Sequence, residues 1–200
     1  MIYLITSMIG ISEEMWLKRI KSLMDDGLDN VIIREKEIDI YKLEKLTREL
    51  KKYKYENGLE TKIILHSNVE LAQELEIDGV HIPYTLYKSY GNKTKMKLQR
   101  FKINGIVGFS AHSIEEVKAV ELLADYVLVS PVFKPSCKEI SGKGIQWIKA
   151  IAHESNVEVV ALGGITSRNV QSIYSSGINS VAIMSALMNL NSKIEGFKNN

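Results

Sequence analysis

The sequence predicts an α/β fold, a (β/α)8 TIM barrel made of a single domain over residues 1-200. Three observations predict it. Short apolar, mostly β-branched runs occur eight times; each is followed by an amphipathic segment; and most runs are continuous rather than alternating in polarity. Continuous runs suit parallel strands that are covered by helices outside and filled by side chains inside. Eight alternations in 200 residues fit a closed barrel better than an open doubly wound sheet.

In chain order the expected strands are Ile2–Thr6, Val31–Arg34, Ile63–His66, Val80–Ile82, Ile106–Ser110, Tyr126–Ser130, Val157–Leu162 and Ser180–Ile183. The expected helices are Glu13–Asp25, Tyr41–Tyr55, Val69–Leu75, Lys93–Phe101, Ile114–Leu123, Ile145–His153, Arg168–Ser175 and Ser185–Leu190. Leu43, Leu46 and Leu50, and again Val117, Val120 and Leu123, fall close to helical spacing. Ser67 with Glu70, and Ser113 with Glu116, have the spacing of a capping box at a helix start. No internal repeat or linker is read in the series. The loop Lys134–Gly144, KPSCKEISGKG, carries three lysines and is expected to close over a ligand.

Composition excludes several function classes. The net charge is +2 with cations scattered among acids, so nucleic acid is not an expected partner. No apolar run reaches the roughly 18–20 residues a membrane helix needs, no leader sequence is read, and a cytoplasmic location is expected. The single cysteine, Cys137, forms neither an internal disulfide nor a thiolate metal site.

In a barrel of this type the chemistry sits where the strands exit at the C-terminal mouth. Those exits offer Thr6, Arg34 with Lys36, His66, His81 or Pro83, Ser110 with His112, Ser130 with Pro131, Gly163-Gly164 and Met184-Ser185. Gly163 and Gly164 follow strand seven, where missing side chains let backbone N–H groups approach an anion, and Ser185 follows strand eight; these two loops are the usual phosphate grip. Arg34 and Lys36, two apart, aim two cations into the mouth while Glu35 faces away; the alternative is an ion pair with Glu37 or Asp39. His66 and His112 are candidate catalytic bases, His66 with an ordinary pKa near 6.5. His81, between Val80 and Ile82, reads as a hydrogen-bonded interior residue, and Trp16 and Trp147 as packing anchors.

These residues resemble a known family, thiamine phosphate synthase and its TenI-like relatives. The resemblance rests on VIIREK, HSNVELAQELEIDGVHIP, GFSAHSIEEVKAVELLADYVLVSPVF, CKEISGKG, ALGGIT and VAIMSAL, and covers nearly the whole chain. It implies a (β/α)8 protein of thiamin metabolism that binds a thiazole phosphate and assembles as a homo-oligomer. By the family pattern Arg34, Lys36 and Lys138 face a pyrophosphate, Ser110 lies near the reacting end, and Gly163, Gly164, Met184 and Ser185 grip the thiazole phosphate.

The chain departs from that pattern at informative places. The family's Asn-Asp pair after strand three is His66-Ser67 here, and its second metal-binding Asp falls near Leu86, so the expected metal set is none and Mg²⁺ belongs only to a synthase reading. The departures point first to a TenI-like thiazole tautomerase, a metal-free proton transfer using His66, His112 and Lys138. The alternatives are a divergent thiamine phosphate synthase, joining hydroxymethylpyrimidine pyrophosphate to thiazole phosphate, and a non-catalytic regulatory binder. The tautomerase's catalytic His after strand six is Pro131 in this chain.

Overall fold

The computed structural model describes residues 1–134 and 141–199. Eight parallel strands close a barrel in sequence order: β1 Ile2–Ile5, β2 Asn30–Ile33, β3 Lys62–His66, β4 Gly79–Pro83, β5 Ile106–Ala111, β6 Tyr126–Val129, β7 Glu158–Leu162 and β8 Val181–Ile183. Closure is made by β8 on β1, with Ile2 beside Val181 and Leu4 beside Ile183. The expected closed barrel is therefore the observed fold.

Helices return the chain outside: α1 Glu13–Asp25, α2 Ile40–Glu56, α3 Val69–Glu74, α4 Tyr84–Ser89, α5 Asn92–Phe101, α6 Ile114–Val120, α7 Ile145–Glu154, α8 Val170–Tyr174 and α9 Ser185–Met188, before a 3₁₀ turn at Ile194–Phe197. Helix α4 was not expected from the sequence. It is short, buries no residue completely and carries no apolar periodicity, although Tyr87 packs edge-on against Phe109 with ring centroids 5.3 Å apart.

Helix starts follow side-chain capping. Ser12 and Asp39 accept from Met15 N–H and Lys42 N–H, satisfying donors a first helical turn leaves free. Ser113 caps α6 as expected, but the Glu116 carboxylate takes the N–H of His112, one residue before the cap. At α3 the capping residue is Asn68, whose Oδ1 accepts from Leu71 N–H at 2.9 Å. Ser67 is not the cap: it sits at φ +64°, in the left-handed region, with its hydroxyl against His66. One residue of positive φ turns the chain, so the cap shifts to the next polar side chain.

Two apolar layers hold the barrel. The larger lies between strands and helices, around Trp16, Leu23, Leu46, Leu65, Phe109 and Ile148. The smaller fills the interior with Tyr3, Ile5, Ile32, Ile64, Tyr126, Leu128, Val160 and Ala182. Alternation along each strand sends successive side chains to these two layers.

At the N-terminal end a repeat runs through the barrel that the sequence reading missed. LDNVII, IDGVHI, ADYVLV and INSVAI begin the even-numbered strands. In the first three, Asp29, Asp78 and Asp125 accept the N–H of Ile2, Ile63 and Val107, each on the preceding strand, at 2.7 to 2.8 Å. In the fourth, Asn179 offers its backbone carbonyl to the terminal amine of Met1. Each aspartate satisfies a strand-end donor that the ladder leaves unpaired.

Candidate active site at the strand exits

The mouth is organised first around Glu35. Its carboxylate accepts from Thr6 Oγ1 at 2.6 Å, from Met8 N–H at 2.8 Å and from the Trp16 indole at 2.8 Å. Thr6 in turn accepts from Arg34 N–H at 3.0 Å. Glu35 thus faces away from the mouth, as expected, and ties the exits of β1 and β2 to α1. Arg34 and Lys36 form no ion pair among the described residues, and Asp39 is engaged as a helix cap. The ion-pair alternative is not what the fold forms.

His66 reaches the mouth half-buried, with Nδ1 2.8 Å from Ser67 Oγ. Burial, with Arg34 and Lys36 adding positive charge, holds its pKa down at about 4. The expectation of an ordinary value near 6.5 is corrected: in the ligand-free protein His66 is a neutral, weak base. Its ring lies over that of His81, its register partner across β3 and β4.

His81 is interior, as expected, but it is joined to the site. Its Nε2 lies 2.6 Å from Ser110 Oγ and its Nδ1 lies 3.0 Å from Tyr126 Oη. Full burial pushes His81 well below the usual histidine range and Tyr126 well above the usual tyrosine range, so both are neutral. Ser110 remains partly exposed at the exit of β5.

His112 lies in a different setting. It is exposed, and its Nδ1 is 2.8 Å from the Ser130 carbonyl, which can only accept. Nδ1–H therefore donates there, and Nε2 has no hydrogen-bond partner among the described residues. Lys143 donates to the His112 carbonyl and lies 4.4 Å above the centroid of Trp147, so the indole is a contact of this loop as well as a packing residue.

Gly163 and Gly164 turn the chain at φ +104° and +63°. A Cβ on Gly163 would stand 2.8 Å from Pro131 Cα, and one on Gly164 2.6 Å from the Lys134 carbonyl oxygen. Glycine is required because the segment after β6 lies directly on this turn. Val132 and Phe133 donate to the carbonyls of Leu162 and Gly163 at 2.9 and 3.0 Å. Lys143 and Gly144 donate back to Pro131 and Val132, so the loop after β6 is pinned at its neck. Lys138, and the expected closing of that loop, lie outside the described residues.

With those carbonyls engaged, the N–H groups of Gly163 and Gly164 have no partner among the described residues. Met184 lines the interior layer and Ser185 is exposed after β8. The buried Arg19 fixes this loop from behind, donating to the carbonyls of Leu187 and Ser192 at 2.7 and 2.6 Å.

The synthase resemblance implies Mg²⁺, a hard ion that takes carboxylate oxygens. The described residues do not fit it. The exit of β3 presents an imidazole and a hydroxyl, Leu86 lies on α4, and both Glu35 oxygens are engaged. Among the described residues no group of three or more His, Cys, Asp or Glu could hold a metal ion.

Sequence reasoning missed Glu35 as an anchor, Asn68 as a cap and Tyr126 as a partner of the site. Tyr126 had a usable signal: it opens one of the four related strand starts and aligns with Gly108, over which its ring packs.

Known proteins resemble this chain in sequence and in fold. A sequence model described as thiamine monophosphate synthase matches residues 2–187. A protein of Aquifex aeolicus named "Putative thiamine-phosphate synthase 2" is 33% identical over 181 residues, covering 88% of this chain and 91% of its own. The thiamine-phosphate synthase of Enterococcus faecalis is 27% identical, covering 98% and 91%. In structure, a thiamine phosphate pyrophosphorylase from Pyrococcus furiosus superposes with a TM-score of 0.80 over 98% of this chain and 91% of that one, at 21% identity, which speaks to the fold alone. Among the described residues no helix is long and apolar enough to cross a membrane. With a match that runs through all eight strands and both glycine-bearing and cationic exits, the chain belongs to the thiamine monophosphate synthase family.

Proposed function

We propose that the chain joins a thiazole phosphate to a hydroxymethylpyrimidine pyrophosphate, the synthase reaction implied by its family and by the names of its relatives. The observation that supports this reading is a pair of separate elements suited to anions: the Gly163–Gly164 turn, whose N–H groups have no partner among the described residues, and Arg34 with Lys36, which have no acidic partner among the described residues. A reaction between two phosphorylated reactants needs two such places. In it the thiazole nitrogen forms the new C–N bond while the C–O bond to pyrophosphate breaks, and the electron pair leaves with pyrophosphate. Cations near the leaving group stabilise that charge, a role that falls to Arg34 and Lys36 and that Lys138 would share. By the family pattern Ser110 would lie near the reacting end.

A second reading, a thiazole tautomerase, is favoured by one specific observation. His112 donates through Nδ1–H to Ser130, next to Pro131, where the family's tautomerase carries its histidine, and its Nε2 has no hydrogen-bond partner among the described residues. The ring is thus adjacent to the place its catalytic counterpart would occupy, and it can move a proton there.

One set of incubations separates them. Thiamine phosphate formed from the two synthase substrates supports the first reading. Aromatisation of carboxythiazole phosphate that His112→Gln abolishes supports the second. Tight thiazole phosphate binding without either turnover overturns both and leaves a binding protein.

A further inference from the structure

The buried tyrosine of β6 bears on what Ser110 can do. Tyr126 is 1% exposed, its ring packs over Gly108 and lies 4.7 Å from that of Tyr3, and its hydroxyl has one hydrogen-bond partner among the described residues, His81 Nδ1. We propose that Tyr126 is a positioning residue that holds His81 in its Nε2–H form and thereby makes the Ser110 hydroxyl a hydrogen-bond donor into the mouth.

The argument counts protons. A neutral imidazole has one N–H and one bare nitrogen. If Nδ1 carried the proton it would donate to Tyr126 Oη, and the phenolic O–H would be left buried without an acceptor. An orphaned buried donor is disfavoured, and the bias against this arrangement is roughly ten-fold or more. A doubly protonated ring strands the same phenol and adds a buried charge. The remaining arrangement satisfies every group: the Tyr126 O–H donates to Nδ1, Nε2–H donates to Ser110 Oγ at 2.6 Å, and the Ser110 hydroxyl proton turns outward. The chain of bonds thus has one direction, set at its buried end.

The consequence is a preference in ligand chemistry. Ser110 presents a donor to an acceptor atom of the substrate, a bare ring nitrogen or an ester oxygen of the leaving group, and discriminates against a group that itself needs an acceptor. This last step rests on the reading that Ser110 touches substrate; the direction of the bonds does not.

The test reads the two parts separately. Nitrogen-15 spectra of ligand-free protein assign the imidazole tautomers, with His81→Gln identifying the His81 signals. The expected result is a proton on Nε2 in the wild type, replaced by a mixed or Nδ1–H population in Tyr126→Phe. A wild-type His81 protonated on Nδ1 overturns the proposal even if Tyr126→Phe does not fold, and an unchanged tautomer in a folded Tyr126→Phe overturns the role of Tyr126. In the synthase assay, Tyr126→Phe is expected to lower kcat about ten-fold with KM for thiazole phosphate within two-fold. An altered tautomer with unaltered kcat removes Ser110 as the substrate's donor and leaves the hydrogen-bond direction standing; absence of coupling in the wild type instead removes the functional reading.

Discussion

The imidazole of His66 stacks on that of His81, with ring centroids 5.8 Å apart and planes inclined by 29°. The two residues are register partners on adjacent parallel strands, one at the rim of the mouth and the other inside the barrel. Contact between the rings opposes simultaneous protonation, and burial adds to that opposition at both. The pair keeps the floor of the mouth uncharged below a rim that carries Arg34 and Lys36.

Stability should fall as pH drops from 7 to 5. Both histidines have folded pKa values below the unfolded value near 6.5, so in this window the unfolded chain binds more protons and acid favours it. His66, held at about 4, contributes ~2 kcal/mol of that loss over the two pH units. Urea unfolding at pH 7 and pH 5 checks it: His66→Gln should flatten the dependence, and equal wild-type stability at both values would contradict it.

Anion binding should raise the pKa of His66. Arg34 and Lys36 both push it down, and an anion seated between these cations offsets their charge. Histidine NMR titration with and without pyrophosphate measures the shift. Arg34→Gln should raise the pKa without any anion, by less than the burial effect that ranks first.

Gly164→Ala should weaken both the fold and the phosphate grip. The new Cβ would meet the Lys134 carbonyl oxygen at 2.6 Å at a φ of +63°. The expected destabilisation is about 1–3 kcal/mol, with at least a ten-fold loss of thiazole phosphate affinity. Gly144→Ala is the matched comparison: φ is +86° but no atom lies within 4 Å of the new Cβ, so it should cost only about 1 kcal/mol. Thermal unfolding and calorimetric binding distinguish the two, and equal effects would refute the steric argument.

Glu35→Ala should be among the most damaging substitutions near the mouth. It leaves the Thr6 hydroxyl, the Met8 N–H and the buried Trp16 indole without their acceptor. Loss of about 3 kcal/mol is expected, since orphaned buried donors bear the full desolvation cost. Glu35→Gln keeps one acceptor oxygen and should fall between wild type and Ala in chemical denaturation. A neutral effect of Glu35→Ala would show that these bonds do not hold the β1 and β2 exits.

The strands were legible because each is a continuous run rich in apolar, mostly β-branched residues, and every observed strand overlaps an expected one. Helix α4 was not, since it is held by contacts such as Tyr87 on Phe109 rather than by a periodic face. At the candidate site, the Gly163–Gly164 turn and the Arg34–Lys36 pair could be named from spacing alone. Ser67 could not be read correctly, because an S-x-x-E pattern records spacing and not the positive φ that moved the cap to Asn68.

The sequence by itself determined the barrel and which residues stand at the strand exits, because both follow from residue type in chain order. Only the tertiary structure decided the lowered pKa of His66 and His81 and the hydrogen-bond partners of His81 and His112. Those depend on which groups lie across from each ring: Arg34 beside His66, the Ser130 carbonyl at His112, and Tyr126 at His81, 45 residues away in the chain. Burial and distance between strands set them, and neither is written in the order of residues along one strand.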